Sequence, residues 1–251
     1  MSLRILWLLL AGTVGVLAQR LPEDFDPARA AREGQALTAE LLSQMPVDNY
    51  TNTGTLEIRS RGTKGSLEIP IRFTVRVHGT RWLSLYEAFP QPTNSQLNTL
   101  TIVHEPGQPS RYFQSRLEET DHVTPLSPAQ VATLRFAGSD FWAGDLGLEF
   151  LHWPVQRLLK KELRRGQSCN VLESVDPNPP AGGYARVVSW LDIDTGGVVF
   201  AEAYDANRKR VKEFAPKSFK KVDGQWQLQE MRIEDLMSRS RTTLHFRVEK
   251  N

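Results

Sequence analysis

The sequence holds a single cysteine, Cys169, among 251 residues. No intramolecular disulfide can form, so the fold has to rest on its packed core, which a chain of this length is able to supply. Charge of one sign is also missing. The formal net charge is +2, with basic and acidic residues interleaved, and nothing points to nucleic acid as a partner. The one dense basic run, Lys217 to Lys221, reads as a solvated strand face.

Catalytic signatures are absent as well. No G-x-S-x-G occurs; Gly166-Gln167-Ser168-Cys169-Asn170 lacks the closing glycine and runs into a strand rather than a helix. There is no H-E-x-x-H and no glycine-rich phosphate loop. The five histidines stand singly. The adjacent pairs His104-Glu105 and Asp121-His122 point to opposite faces of a strand, a poor arrangement for a metal. Cys169 lies near Arg164 and Arg165 but reads as a small buried hydrophobe rather than a nucleophile. A hydrolase drawing on Asp140, Asp145 or His152 lacks a base and nucleophile that can be named together. These absences favour binding over catalysis and leave no need for a cofactor or a metal.

Long apolar runs are confined to the N-terminus. Arg4 precedes an uncharged stretch, Ile5 to Gln19, that contains Val16-Leu17-Ala18. A basic start, an apolar centre and small residues at −3 and −1 describe an export signal over residues 1–18, cleaved after Ala18. The run falls short of the about 20 apolar residues of a membrane span. No cysteine follows the cleavage point, so the expected product is soluble and not lipidated there.

What is present is mostly strand. Tyr184–Ile193, Val198–Tyr204, Arg210–Val222, Gln225–Ile233 and Thr242–Val248 are separated by Asp-, Asn- and Gly-rich turns, the pattern of an antiparallel meander. Upstream, Asp26-Pro27 opens a helix whose stripe is Ala30, Gly34, Leu37, Leu41 and Met45, stopped by Pro46. From Thr53 the period becomes two. Leu67, Ile69, Ile71, Phe73, Val75 and Val77 alternate with polar residues, and Pro70 inside that run suggests an edge or a bulge. Further strands are expected at Arg81–Phe89, Leu97–His104 and Arg111–Leu117, with a surface loop at Pro90–Asn94.

The middle breaks the pattern. Ser127-Pro128-Ala129-Gln130 is a capping box that starts a short helix. The apolar, glycine-jointed segment Phe136 to Trp153 follows, then an expected helix Gln156–Lys160 and a strand Glu162–Ser174. The count is about eleven strands in one α+β, mainly β domain over 19–251, interrupted by a lid-like insert at about 125–160. A long curved sheet of this kind keeps an apolar inner face that must be covered, because large exposed apolar patches are unstable in water. Burying about fourteen methylenes of one acyl chain at about 0.8 kcal/mol each would gross about 11 kcal/mol.

Several stretches carry a family resemblance. Tyr184-Ala185-Arg186-Val187-Val188-Ser189-Trp190-Leu191-Asp192, Glu202-Ala203-Tyr204-Asp205, Lys212, Asp223-Gly224-Gln225-Trp226, Met231 and Arg241-Thr242-Thr243-Leu244 are similar to the LolA-like outer-membrane lipoprotein-sorting proteins. So are Ser139-Asp140-Phe141 with Asp145-Leu146, and Cys169 followed by Pro177. The similarity runs from about Thr53 onward. It departs at Phe141-Trp142-Ala143-Gly144-Asp145, where polar residues are usual, and at Asn207-Arg208-Lys209, where a glycine turn is usual.

The resemblance implies an eleven-stranded antiparallel half-barrel with helices over a hydrophobic cavity. It also implies acyl chains of lipids or lipoproteins as ligands, a periplasmic location and, for some members, an inner-membrane exporter as partner. The expectation is therefore a monomeric periplasmic carrier moving lipid or lipoprotein toward the outer membrane. Its cavity candidates are Ile71, Phe73, Val75, Trp190, Phe200, Trp226, Leu228 and Phe246, with Phe141, Trp142, Leu146 and Leu148 as the lid. The rival is a non-catalytic envelope adaptor that docks an exporter complex through a sheet edge or the Lys217 to Lys221 face.

Overall fold

The computed structural model of the chain describes residues 25–89, 97–116, 119–222 and 225–247. The export signal at 1–18, the loop Pro90–Asn94, the Asp223-Gly224 turn and the strand ends Leu117 and Val248 lie outside the described residues.

Helix α1 (Pro27–Ser43) begins where Asp26 accepts from the free amides of Ala28 (2.9 Å) and Arg29 (3.2 Å). It stops two residues short of Met45, with Gln44 already extended. Thirteen strands follow: β1 (Tyr50–Arg59), β2 (Leu67–His78), β3 (Arg81–Ala88), β4 (Thr99–His104), β5 (Arg111–Arg116), β6 (Glu119–Pro125), β7 (Val155–Arg164), β8 (Gln167–Val175), β9 (Arg186–Asp192), β10 (Val198–Tyr204), β11 (Arg210–Val222), β12 (Gln225–Asp235) and β13 (Ser240–Arg247). Between β6 and β7 come helices α2 (Pro128–Val131) and α3 (Ala143–Leu146) and a 3₁₀ turn, Glu149–His152.

All the strands form one antiparallel sheet, in the order β6-β5-β4-β3-β2-β1-β13-β12-β11-β10-β9-β8-β7. Two meanders, β1 to β6 and β7 to β13, are joined where the first strand pairs with the last, from Thr53↔Arg247 to Arg59↔Arg241. The two edges of the sheet, β6 and β7, do not pair, so the curved sheet is not closed into a barrel. The insert, residues 126–154, leaves one edge and enters the other. It crosses the open side of the sheet.

The strand count corrects the expected eleven to thirteen. Strand β6 reads Glu-Thr-Asp-His-Val-Thr-Pro, too polar to alternate. Strand β7 occupies Gln156–Lys160, where a helix is expected from sequence. Arg165 (φ 52°) and Gly166 (φ 80°) are both left-handed, the geometry of a two-residue hairpin, and they cut the expected strand Glu162–Ser174 in two. A register shift between Leu158 and Lys160 blurs the alternation that would have marked β7.

Pro70 is also not on an edge strand, since β2 lies between β1 and β3. Its carbonyl accepts from Phe89 N (2.8 Å), one residue beyond the last β2–β3 strand pair, Ile71↔Ala88, so its missing N–H falls where that ladder ends.

The apolar faces sort into distinct clusters. The inner one joins Leu56, Ile71, Ile102, Ile233 and Leu244 of the sheet to Val131, Phe136 and Phe141 of the insert. A separate cluster holds Cys169, Val171, Val188, Trp190 and Phe200, with no insert residue in it. Helix α1 runs along edge strand β7 and so covers one of the two exposed edges. Gly34 makes this possible, because a Cβ there would lie 2.6 Å from Arg157 N and 2.7 Å from its Cα. Backbone cannot yield as a side chain can. Gly34→Ala is expected to lower the unfolding free energy by about 1–2 kcal/mol, although alanine in a helix gains about 1 kcal/mol over glycine. Urea denaturation of the two proteins checks it, and an unchanged or higher midpoint would refute the close approach.

Candidate functional site

Where β6 and β7 fail to meet, the insert leaves a cavity of about 430 Å³. Its walls are Tyr112 and Phe113 of β5, Leu126, Val131, Trp142 and Phe150 of the insert, and Tyr184 ahead of β9. The lining is mainly apolar, with Glu149, Asp145 and Asp176 as its carboxyl groups and Ser110 and Arg111 as further polar side chains.

The insert that roofs this space is fixed by buried polar contacts. Asp140 is 1% exposed. Its carboxylate accepts from Arg135 Nη1 (2.8 Å), Ser240 Oγ (2.5 Å) and Thr242 Oγ1 (2.9 Å). The same threonine accepts from Asp140 N (2.9 Å). Arg135 reaches on to Asp235 Oδ2 of β12 (2.7 Å), and it and the neighbouring Ser238 amide hold the Asp235 carboxyl below its ordinary range against the opposing effect of burial.

A second tie comes from β11. Lys212, 2% exposed, donates to Asp140 O (2.7 Å) and Asp145 Oδ2 (3.2 Å). Its ammonium sits 3.5 Å from the Trp142 ring centroid, a cation–π contact, and Trp142 stacks on Tyr184 at 4.4 Å. Tyr184 donates to Asp145 Oδ1 (3.0 Å). Burial pushes the lysine down from its ordinary value, with Asp145 opposing it, and pushes the Tyr184 phenol well up.

The cavity wall carries two more polar devices. Tyr112 donates to Glu149 Oε2 (2.8 Å). Burial raises the Glu149 carboxyl to about 7, with the tyrosine hydrogen bond pulling the other way. Ser110 Oγ lies 3.1 Å from both His104 Nδ1 and His152 Nε2, which ties β4 to the insert. Burial lowers both imidazoles, His104 to about 4. Among the described residues no three His, Cys, Asp or Glu side chains gather as a metal site. Cys169 is fully buried and its thiol is pushed up by that burial.

The residues expected to form one cavity fall in three places. Ile71 and Phe246 are buried in the inner cluster, and Phe73 and Leu228 pack against it. Val75 is buried on the same strand face as Ile71 and Phe73. Trp190 and Phe200 belong to the other cluster, under the guanidinium of Arg164 at 4.5 and 4.3 Å. Trp226 is on β12, and its side chain lies outside the described residues. Of the insert residues, Phe141 is fully buried and Leu146 packs on the inner cluster. Leu148 packs with Leu151 and Leu172, and of these four expected lid residues Trp142 alone lines the cavity. Sequence reasoning missed Arg135, Glu149, Tyr112 and Ser240. The available signal was a charge set in an apolar stretch: Asp140 before Phe141, and Lys212 two residues from Phe214 on one strand face.

An open antiparallel half-barrel crossed by an insert, with an apolar cavity beneath it, is an architecture this chain shares with several solved structures. The chain superposes on a DUF1329 family protein from Desulfovibrio piger with a TM-score of 0.67 and 19% identity, covering 86% of this chain and 91% of that one. It matches a domain named for outer membrane lipoprotein sorting, from Vibrio parahaemolyticus, equally well: TM-score 0.67, 19% identity, 87% and 92% covered. A LolA superfamily protein from Nitrosomonas europaea follows at 0.56 and 17%, with 87% and 92% covered. No curated protein matches the sequence. A family model whose description reads "Uncharacterized protein" matches residues 99–250, more than half of the chain, and the chain belongs to that family.

Proposed function

We propose that this protein is a lipid carrier that holds an acyl chain, free or attached to a lipoprotein, in the cavity between the β5–β6 edge and the insert. The observation that carries this reading is the mainly apolar 430 Å³ space itself, kept beneath a polar-latched roof. That volume falls in the range of about 300–1,000 Å³ usual for small-ligand sites. The likeness to a domain named for lipoprotein sorting supports the same ligand class. Binding of this kind needs no chemistry.

In this reading residues 1–18 are an export signal, and 19–251 is one domain that works as a monomer in the periplasm. It takes its cargo at the inner membrane, from an exporter, and releases it toward the outer membrane. Ile71, Phe73, Val75, Leu228 and Phe246 form the apolar floor behind the roof residues Phe141 and Leu146, while Trp142 touches the cargo.

Native mass spectrometry of gently purified protein is expected to show bound lipid, and a fluorescent fatty acid is expected to bind with 1:1 stoichiometry. Val131→Trp, which fills the cavity from α2, should weaken probe binding by at least about tenfold, the equivalent of two buried methylenes. Protein that purifies without lipid and takes up no probe would end the proposal.

A further inference from the structure

At the end of the sheet away from the β2–β3 turn, the β1–β2 hairpin and the β12–β13 turn lie side by side. Arg59 pairs with Arg241 across β1 and β13, and Glu234 pairs with Arg241 across β12 and β13. Between them is an open depression of about 540 Å³, lined by Arg59, Arg61, Arg239 and Arg241 together with Glu234, Asp235 and Leu236. Its charges do not cancel. Asp235 is taken by Arg135 from the insert side (2.7 Å) and by the amides of Met237 and Ser238 (both 2.9 Å). Arg59 is held by Glu57. That leaves Arg61, Arg239 and Arg241 facing Glu234, and among the described residues none of these three arginines has an ion pair or a hydrogen-bonded side-chain partner. Lys64 at the hairpin tip adds a further exposed cation.

The same end also carries exposed oil. Leu67, opening β2, is 57% exposed, and Met237, in the β12–β13 turn, is 56% exposed. Large apolar side chains usually avoid water. Met237 is two residues from Arg239 in one turn, and Leu67 pairs with Ile58, the residue before Arg59, so both lie at the same end of the sheet as the unneutralised arginines. Protruding apolar groups set among cations match the layering of a bilayer surface, with acyl chains below and phosphates above. A small soluble anion would use the arginines but leave Leu67 and Met237 unexplained.

We propose that this end of the sheet docks on a membrane of anionic phospholipid, the arginines of the depression binding headgroup phosphates while Leu67 and Met237 enter the acyl boundary. The surface is distinct from the cavity, so carriage and docking can fail separately.

Vesicle flotation tests it, with phosphatidylcholine alone and with phosphatidylcholine containing phosphatidylglycerol. The protein is expected to float with the anionic vesicles at low salt, to detach as salt rises, and to stay behind with phosphatidylcholine alone. Each arginine removed should cost about fivefold in partition, so Arg61→Gln with Arg239→Gln should cost about 25-fold. Met237→Ser should weaken it further, with melting temperature and fatty-acid probe uptake unchanged in every variant. Equal flotation of the double variant, equal flotation on uncharged vesicles, or binding of inorganic phosphate without any flotation would each overturn the proposal. Loss of probe uptake by unmodified protein that still floats would count against the cavity reading alone.

Discussion

Asp140→Ala is expected to lower the unfolding free energy by about 3 kcal/mol, at the low end of what breaking a buried ion pair costs, because Arg135 keeps partial access to water. In a chain of this size that corresponds to a fall in Tm of about 6–12 °C. The carboxylate ties the insert to β13 through Ser240 and Thr242 and holds Arg135 of the insert beside them. Its loss leaves Arg135 with Asp235 as its one remaining carboxylate and takes an acceptor from two hydroxyls at once. Because those partners come from the insert and from β13, the variant should also release a bound acyl probe faster than the natural protein does. Calorimetry and stopped-flow displacement read the two effects. An unchanged Tm would mean that the Asp140 carboxylate does not hold the insert, and that Lys212 and apolar packing suffice.

Glu149 should make stability depend on pH. Its carboxyl moves from an ordinary 4.5 in the unfolded chain to about 7 in the folded one, chiefly through burial. A raised folded value favours the protonated form of the native protein. The contribution is complete below 4.5 and is lost as pH rises through 7, amounting to about 3 kcal/mol in all. The buried imidazoles act in the opposite sense. His104, lowered from 6.5 to about 4, contributes stability that is complete above 6.5 and lost as pH falls toward 4, and His152 is lowered in the same direction.

Glu149→Gln removes only the first dependence. The variant should be more stable than the natural protein at pH 8 by about 3 kcal/mol, little different at pH 4, and left with the opposing slope of the histidines and of lowered carboxyls such as Asp235. Urea denaturation at both pH values decides this; equal stability at pH 8 would show that Glu149 is ionised in the fold at little cost. The same titration reaches the cavity. A neutral Glu149 leaves the wall more apolar, so a fatty-acid probe should bind more tightly at pH 5.5 than at pH 8, and Glu149→Gln should flatten that difference.

Strands β9 and β10, buried along most of their length, were readable from the turns that bound them. The alternating residues that became β2 were readable because one sheet face there is dry and the other wet, which imposes a period of two. Helix α1 was readable for the matching reason, with Asp26 and Pro27 marking its start. Strands β6 and β7 were not. β6 is polar for most of its length, and the register shift between Leu158 and Lys160 breaks the period of β7.

Local pattern also fixed which segment would stand apart. The capping box at Ser127 and the glycine-jointed aromatics beyond it announced an insert that could not be strand. Tertiary structure alone decided what the insert would touch. Trp190 and Phe200 look like inner-face residues in sequence, yet they pack in a cluster that contains no insert residue, because strand parity is relative until the sheet has curved. Arg135, Asp140, Lys212 and Asp235 are 5 to 100 positions apart in the chain. No periodicity links such positions. A buried charge must find its partner wherever the fold brings one, and only folding shows where that is.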